Sequence, residues 1–228
     1  MLNMIKLDWL GMKVYHKRFI IIPLSMCIFG FLNELLIIPL AVFFMLSFSV
    51  NPFAVEEKGK LDNLYLTLPI TRKTIVNARL SLSLIMLGLG VALGTAMTVI
   101  MSKLLYGHND IFTHFFQADF DSMFLLICGS LLFYAIMNLS TFPILFKIGY
   151  AKGKVFGFYI PVGTMVFLLY VVYFVAFFSD SFHAKAIAAL EWALGHTVGA
   201  SAIMLAMAVL ALAVSYALSQ RLYAKREF

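Results

Sequence analysis

The stretch Asn51 to Arg79, NPFAVEEKGKLDNLYLTLPITRKTIVNAR, is a polar island in an otherwise apolar chain. It carries Glu56, Glu57, Lys58, Lys60, Asp62, Arg72, Lys73 and Arg79, yet Leu61, Leu64, Tyr65, Leu66 and Leu68 run through its middle. A loop that only joins two apolar spans needs no such row of leucines. A segment that docks its apolar face into another protein does.

Working outward, the composition sets the class. Of 228 residues, 63% are hydrophobic and 12% charged, and the mean hydropathy is +0.97. Soluble domains are about half apolar and about one quarter charged. Apolar runs of membrane-spanning length fill most of the chain on both sides of the island. The expectation is an all-α polytopic membrane protein forming one transmembrane domain over residues 1–228, with no separate soluble domain. A net charge of +6 is explained by basic residues that hold loops on the cytoplasmic side of a membrane, so no nucleic-acid partner is expected. Cys27 and Cys128 lie in apolar runs and read as small buried side chains. No small-residue cleavage site follows the first apolar run, so a cleaved leader is not expected.

Residues 1–18 fit an amphipathic helix lying in the membrane interface. Lys6, Lys13 and Lys17 share one side, and Met1, Ile5, Trp9 and Met12 recur at helical spacing on another. Phe19–Leu32 and Leu35–Val50 are two short apolar runs broken by Asn33-Glu34. A single long span is one reading. Basic residues on both flanks favour a hairpin, with Asn33-Glu34 at its outer tip. Further spans are expected at Leu80–Tyr106, Phe120–Phe146, Val155–Phe178 and Thr197–Ser219. A polar loop at Gly107–Asp119, a basic turn at Lys147–Lys154 and a short outer segment at Ser179–His196 connect them. This six-span layout puts 15 of the 17 basic residues inside and only Lys103 and Lys185 outside. Both termini are then cytoplasmic in the cell membrane.

Chemistry is sparse. The sequence has no GxxxxGK[ST] nucleotide-phosphate loop and no HExxH metal motif. No catalytic residues, bound cofactor or metal are expected in this chain. His108, Asp110 and His114 share an outer loop that reads as solvated. Asn138, Ser140 and Thr141 beside Pro143 read first as a packing kink, since proline frees a backbone carbonyl that neighbours must satisfy. Gly90 and Gly94 form GxxxG and read first as close packing within the chain. Phe167, Tyr170, Phe174 and Phe177 form an aromatic stripe on one face of the fifth span. The plain reading is a lipid- or core-facing surface; the sharper one is a wall for an amphipathic substrate.

The run Glu56–Leu80, EEKGKLDNLYLTLPITRKTIVNARL, resembles a signature of ABC-2-type transporter permeases. There an acidic residue, a Lys-Gly pair and a leucine-rich helix precede a Leu-Pro-[IV]-[ST]-Arg turn, here Leu68-Pro69-Ile70-Thr71-Arg72. The phenylalanine-rich spans are also similar to permeases that export cytolytic or antimicrobial peptides, including phenol-soluble-modulin exporters. The resemblance implies that residues 51–79 are a cytoplasmic coupling segment between spans two and three. Leu61, Leu64, Tyr65 and Leu68 would enter a groove of a separate P-loop ATPase, with Glu56, Glu57 and Asp62 at the rim and Pro69 ending the helix. Arg72, Lys73 and Arg79 would hold lipid headgroups. ATP and Mg²⁺ would be bound by the partner, and a second permease copy would complete the path. Exporter function follows from the resemblance; the alternative is a non-transporting assembly or sensor subunit. Relative to larger members, the Ser179–His196 segment is short for the re-entrant helices they carry between their last two spans.

Overall fold

A computed structural model describes residues 2–12, 37–59, 71–105 and 120–225. Every regular element among them is helical: α1 (Leu2–Met12), α2 (Ile37–Ser49), α3 (Asn51–Gly59), α4 (Arg72–Leu105), α5 (Phe120–Ile148), α6 (Tyr150–Lys154), a π turn (Val155–Tyr159), α7 (Ile160–Phe178), α8 (Asp180–Gly195) and α9 (Thr197–Ala224). Five stretches are long and apolar enough to cross a membrane: Ile37–Gly59, Arg72–Lys103, Met123–Ile148, Tyr150–Val172 and Thr197–Ala224. Phe19–Leu32 and the Asn33-Glu34 tip lie outside the described residues, as do residues 107–119 with His108, Asp110 and His114.

Three boundaries differ from the sequence expectation. The span expected to end at Val50 runs on to Gly59. Asn51–Gly59 is helical, directly after α2, with Asn51, Pro52, Phe53, Ala54 and Glu56 buried. The span expected from Leu80 starts at Arg72, because Thr71 caps it: the Thr74 amide donates to Thr71 Oγ1 at 3.3 Å. At 34 residues α4 is about 51 Å long, well beyond a hydrocarbon core of about 30 Å. The Ser179–His196 connection is a 16-residue helix. Alanines at 184, 186, 188, 189 and 193 favour helix at little entropic cost, and extended backbone at Ser179 starts it.

The spans are held by close backbone approach and by buried polar links. Gly90 and Gly94 face α2 within the chain: a Cβ on Gly94 would stand 3.0 Å from Ile38 Cα, and one on Gly90 would stand 3.2 Å from Val42 Cα. This is the small-residue packing that membrane helices use where no hydrophobic force draws them together. Deeper in the bundle, Tyr134 OH donates to the Ser83 carbonyl at 2.7 Å. Asn138 Nδ2 donates to Ser83 Oγ at 2.9 Å, and Ser215 Oγ donates to Asn138 Oδ1 at 2.9 Å. These bonds join α4, α5 and α9, each contributing on the order of 1 kcal/mol in a membrane.

The kink residues also have structural partners. Thr141 Oγ1 donates to the Gly157 carbonyl at 2.6 Å, so α5 is stitched to the π turn that leads into α7. Ser140 Oγ donates to Met137 O at 2.9 Å. The expected basic turn is tighter than a loop. Gly149 alone separates α5 from α6, at φ 79°, a left-handed backbone that glycine takes without Cβ strain.

Candidate functional site: the basic end of the bundle

The two edges of the polar island meet at one end of the bundle. There α1, α3, the start of α4, the end of α5, α6 and the end of α9 pack together. Met4, Phe53, Ile75, Val76, Phe146 and Tyr223 belong to one buried cluster. Helical spacing explains the inward face of α4: Ile75, Arg79, Leu82 and Met86 fall at i, i+4, i+7 and i+11, and all four are buried.

Arg79 is therefore an inward residue with a charge. Its guanidinium pairs with Glu56 at 2.6 Å, with side chains only 1% and 6% exposed. It also lies 4.3 Å from the centre of the Phe53 ring and 5.9 Å from that of Phe146. Phe53 meets Phe146 edge-on at 4.9 Å, and Phe146 meets Tyr223 edge-on at 5.2 Å. A cation in an aromatic enclosure is favoured by the ring faces as well as by its carboxylate. Asp8 of α1 is buried against the same charge. Burial pushes its carboxyl above the ordinary range, and Arg79 pulls it back down. Helices α1, α3 and α4 thus share one buried ionic joint.

Two further contacts tie this joint to the rest of the end face. Glu57 Oε2 accepts from the Ala151 amide of α6 at 2.8 Å, beside a cavity of about 250 Å³ that Phe53, Tyr150 and Lys152 help to line. Arg72 Nη1 donates to the Ala224 carbonyl at 2.8 Å. That cation meets the electronegative end of α9.

The expected site residues are thus distributed as follows. Glu56 is engaged inside the chain with Arg79 instead of standing at a rim, and Arg79 is buried where a headgroup contact was expected. Glu57 and Arg72 are at the surface with the contacts just given. Leu61, Leu64, Tyr65, Leu68 and Pro69 lie outside the described residues. Phe167, Tyr170, Phe174 and Phe177 are 63% to 72% exposed. The Phe174 and Phe178 rings stand 4.5 Å apart. The helix that carries them meets the bundle through its first turns, where Phe158, Val162 and Met165 pack on the cluster of Val42, Leu46 and Tyr134. The aromatic stripe and the ionic joint are therefore separate features.

The joint was missed in the sequence, although a signal was present. Arg79 shares a helical stripe with Ile75 and Leu82, and Glu56 follows Phe53 by one helical turn. Asp8 follows Met4 in the same way, which puts an acid on the inward face of α1, while Leu7, Trp9 and Leu10 are exposed.

A family model described as ABC-2 family transporter protein matches residues 3–224. No curated protein matches the chain, and no solved structure does.

Proposed function

Since this chain belongs to the ABC-2 transporter family, a family of membrane transport components that are not themselves catalytic, we propose that it is the permease subunit of an exporter driven by a separate P-loop ATPase, with ATP and Mg²⁺ bound on that partner. The basic end of the bundle faces the cytoplasm, as do both termini. Residues 60–71, which leave α3 and re-enter at α4, form the surface that the ATPase engages. Leu61, Leu64, Tyr65 and Leu68 supply its apolar face, and Pro69 ends it.

The observation that carries this reading is the Glu56–Arg79 pair. It clamps the two stems of the island together, and Asp8 brings the interfacial helix into the same joint. A displacement of residues 60–71 is then delivered to α3 and α4 as one body, while Glu57 and Arg72 pass it to α6 and α9. A chain that only resided in the membrane would gain little from a buried ion pair, whose desolvation offsets much of its attraction.

The cargo is an amphipathic peptide or lipid-like molecule. The exposed aromatic face at Phe167, Tyr170, Phe174 and Phe177 offers large contact area at low entropic cost, and no charged side chain is placed among them. A second copy of the chain completes the path, giving a two-fold dimer. The Gly90–Gly94 face is occupied by α2 of the same chain, so the dimer contact lies elsewhere.

The test uses Leu64→Asp and Tyr65→Asp. Loss of an interface anchor costs about 2 kcal/mol or more. Each variant should therefore insert at the normal level yet stimulate the ATPase roughly 30-fold less in the limit of weak binding. Cells carrying it should lose protection against amphipathic peptides. Normal stimulation by both variants would remove residues 60–71 from the coupling role. Unchanged peptide sensitivity on deletion of the gene would remove the cargo assignment.

A further inference from the structure

We propose that Asp8 is a proton-operated latch for α1: with its carboxyl protonated the helix stays docked on α3 and α4, and loss of the proton to solvent releases it. The observation behind this is a polar atom in unsuitable surroundings. Asp8 is buried, and its Oδ2 has no hydrogen-bond partner. A carboxylate buried with an unmade bond is penalised far more than a neutral carboxyl in the same place. Docking of α1 and ionisation of Asp8 therefore oppose each other.

The helix is small enough for one acid to decide its position. α1 has 11 residues, a length that is marginal for an isolated helix in water, so its order depends on packing. Met4, Asp8 and Gly11 fall at i, i+4 and i+7 on the inward face. Met4 joins the buried cluster of Phe53 and Val76, and a Cβ on Gly11 would stand 3.3 Å from Val55 Cγ1 of α3. Leu7, Trp9 and Leu10 are exposed. Asp8 thus sits in the middle of the short contact that holds α1.

None of the charged groups described around it supplies the missing bond. α1 packs chiefly on α3 and α4. From α4, Arg79 acts on Asp8 and favours its ionised form, yet burial acts more strongly and sets the carboxyl above the ordinary range. From α3, Glu56 is bound to that same guanidinium at 2.6 Å. Glu57 accepts from the Ala151 amide, and Arg72 donates to the Ala224 carbonyl. Lys6 of α1, Lys58 of α3 and Lys73 of α4 are exposed. So are Lys147, Lys152 and Arg221, on α5, α6 and α9, while Lys154 lies over the Tyr150 ring. Because the docked carboxyl is raised relative to a solvated one, docking is fully supported below the ordinary carboxyl value. It weakens as pH climbs towards the raised docked value and levels off above it.

The test is hydrogen exchange of the purified full chain in phosphatidylcholine nanodiscs, read by mass spectrometry from about pH 5 to about pH 9 and corrected for the intrinsic rate. In the wild type, opening of α1 should increase about tenfold per pH unit between the ordinary and the raised carboxyl values. In Asp8→Asn, which keeps the shape and cannot ionise, α1 should stay protected with no pH slope. Asp8→Leu removes the charge without adding an amide and should behave alike. Peptides from Thr197–Ala224 should be flat in all three proteins. A wild type without a slope would overturn the latch, as would a slope that survives in both neutral variants. An equal slope in α9 would reveal a response of the whole fold and overturn it too. If α1 is unprotected at every pH in both neutral variants, the proton is not what holds the helix and the proposal falls. The readout is docking alone, so it stands or fails independently of the exporter reading and of the coupling test at Leu64 and Tyr65.

Discussion

Arg79→Ala should destabilise the protein by about 3–5 kcal/mol, because it leaves the buried Glu56 without its ion-pair partner. The apparent unfolding temperature in detergent should drop sharply, and little folded protein should reach the membrane. Asp8 makes the loss depend on pH. Its carboxyl is already pushed up by burial, and Arg79 is what lowers it. Without the guanidinium, its folded value rises further above that of the unfolded chain. A raised carboxyl favours the folded state while protonated and opposes it once ionised. The variant's deficit should therefore be smallest at acid pH and grow as pH climbs through the raised value. Removing all three charges with Asp8→Asn/Glu56→Met/Arg79→Met should recover most of the stability, since apolar replacement of a whole buried ionic cluster is often neutral or better. Arg79→Ala with wild-type stability and a flat pH response would show that the joint is solvated.

The second large effect is steric. Gly90→Ile/Gly94→Ile should separate α2 from α4, with each substitution costing about 1–3 kcal/mol. The obstacle at Gly94 includes backbone, since a Cβ there would already stand 3.0 Å from Ile38 Cα. No rotamer change removes that contact. Gly88→Ile is the matched control on the same helix, where an added Cβ meets nothing within 4 Å. The double variant should show reduced folded yield by fluorescence-detected size exclusion, while Gly88→Ile should match wild type. Equal yields would show that the close approach is not required.

These two sites mark what the sequence made legible and what it did not. Apolar run length gave the membrane class, and the GxxxG spacing gave a close helix contact within the chain. Both depend on local pattern and bilayer thickness. The ionic joint depends on residues far apart in sequence. Glu56 and Arg79 sit in a stretch whose many charges argue for solvent, and that local impression concealed the inward helical stripe on which each lies. Helix boundaries slipped for a related reason. Hydropathy marks where apolar residues begin, whereas Thr71 begins α4 by capping its amides two turns earlier. The Ser179–His196 segment looked like a simple connection because alanine is neither strongly polar nor long, yet alanine is the residue best suited to helix.

The length of α4 carries a mechanical consequence. The helix continues unbroken from Arg72 to Leu105, and it comes close to the α2 backbone at Gly94. If Gly94 serves as a fulcrum, the arm towards Arg72 is about 33 Å and the arm towards Leu105 about 16 Å, at 1.5 Å per residue. A tilt of roughly 5° then swings the Arg72 end by about 3 Å and the other end by about 1.5 Å in the opposite sense. The rod is geared: a coarse stroke delivered at one membrane surface emerges at the other as a finer, reversed one, with about twice the force.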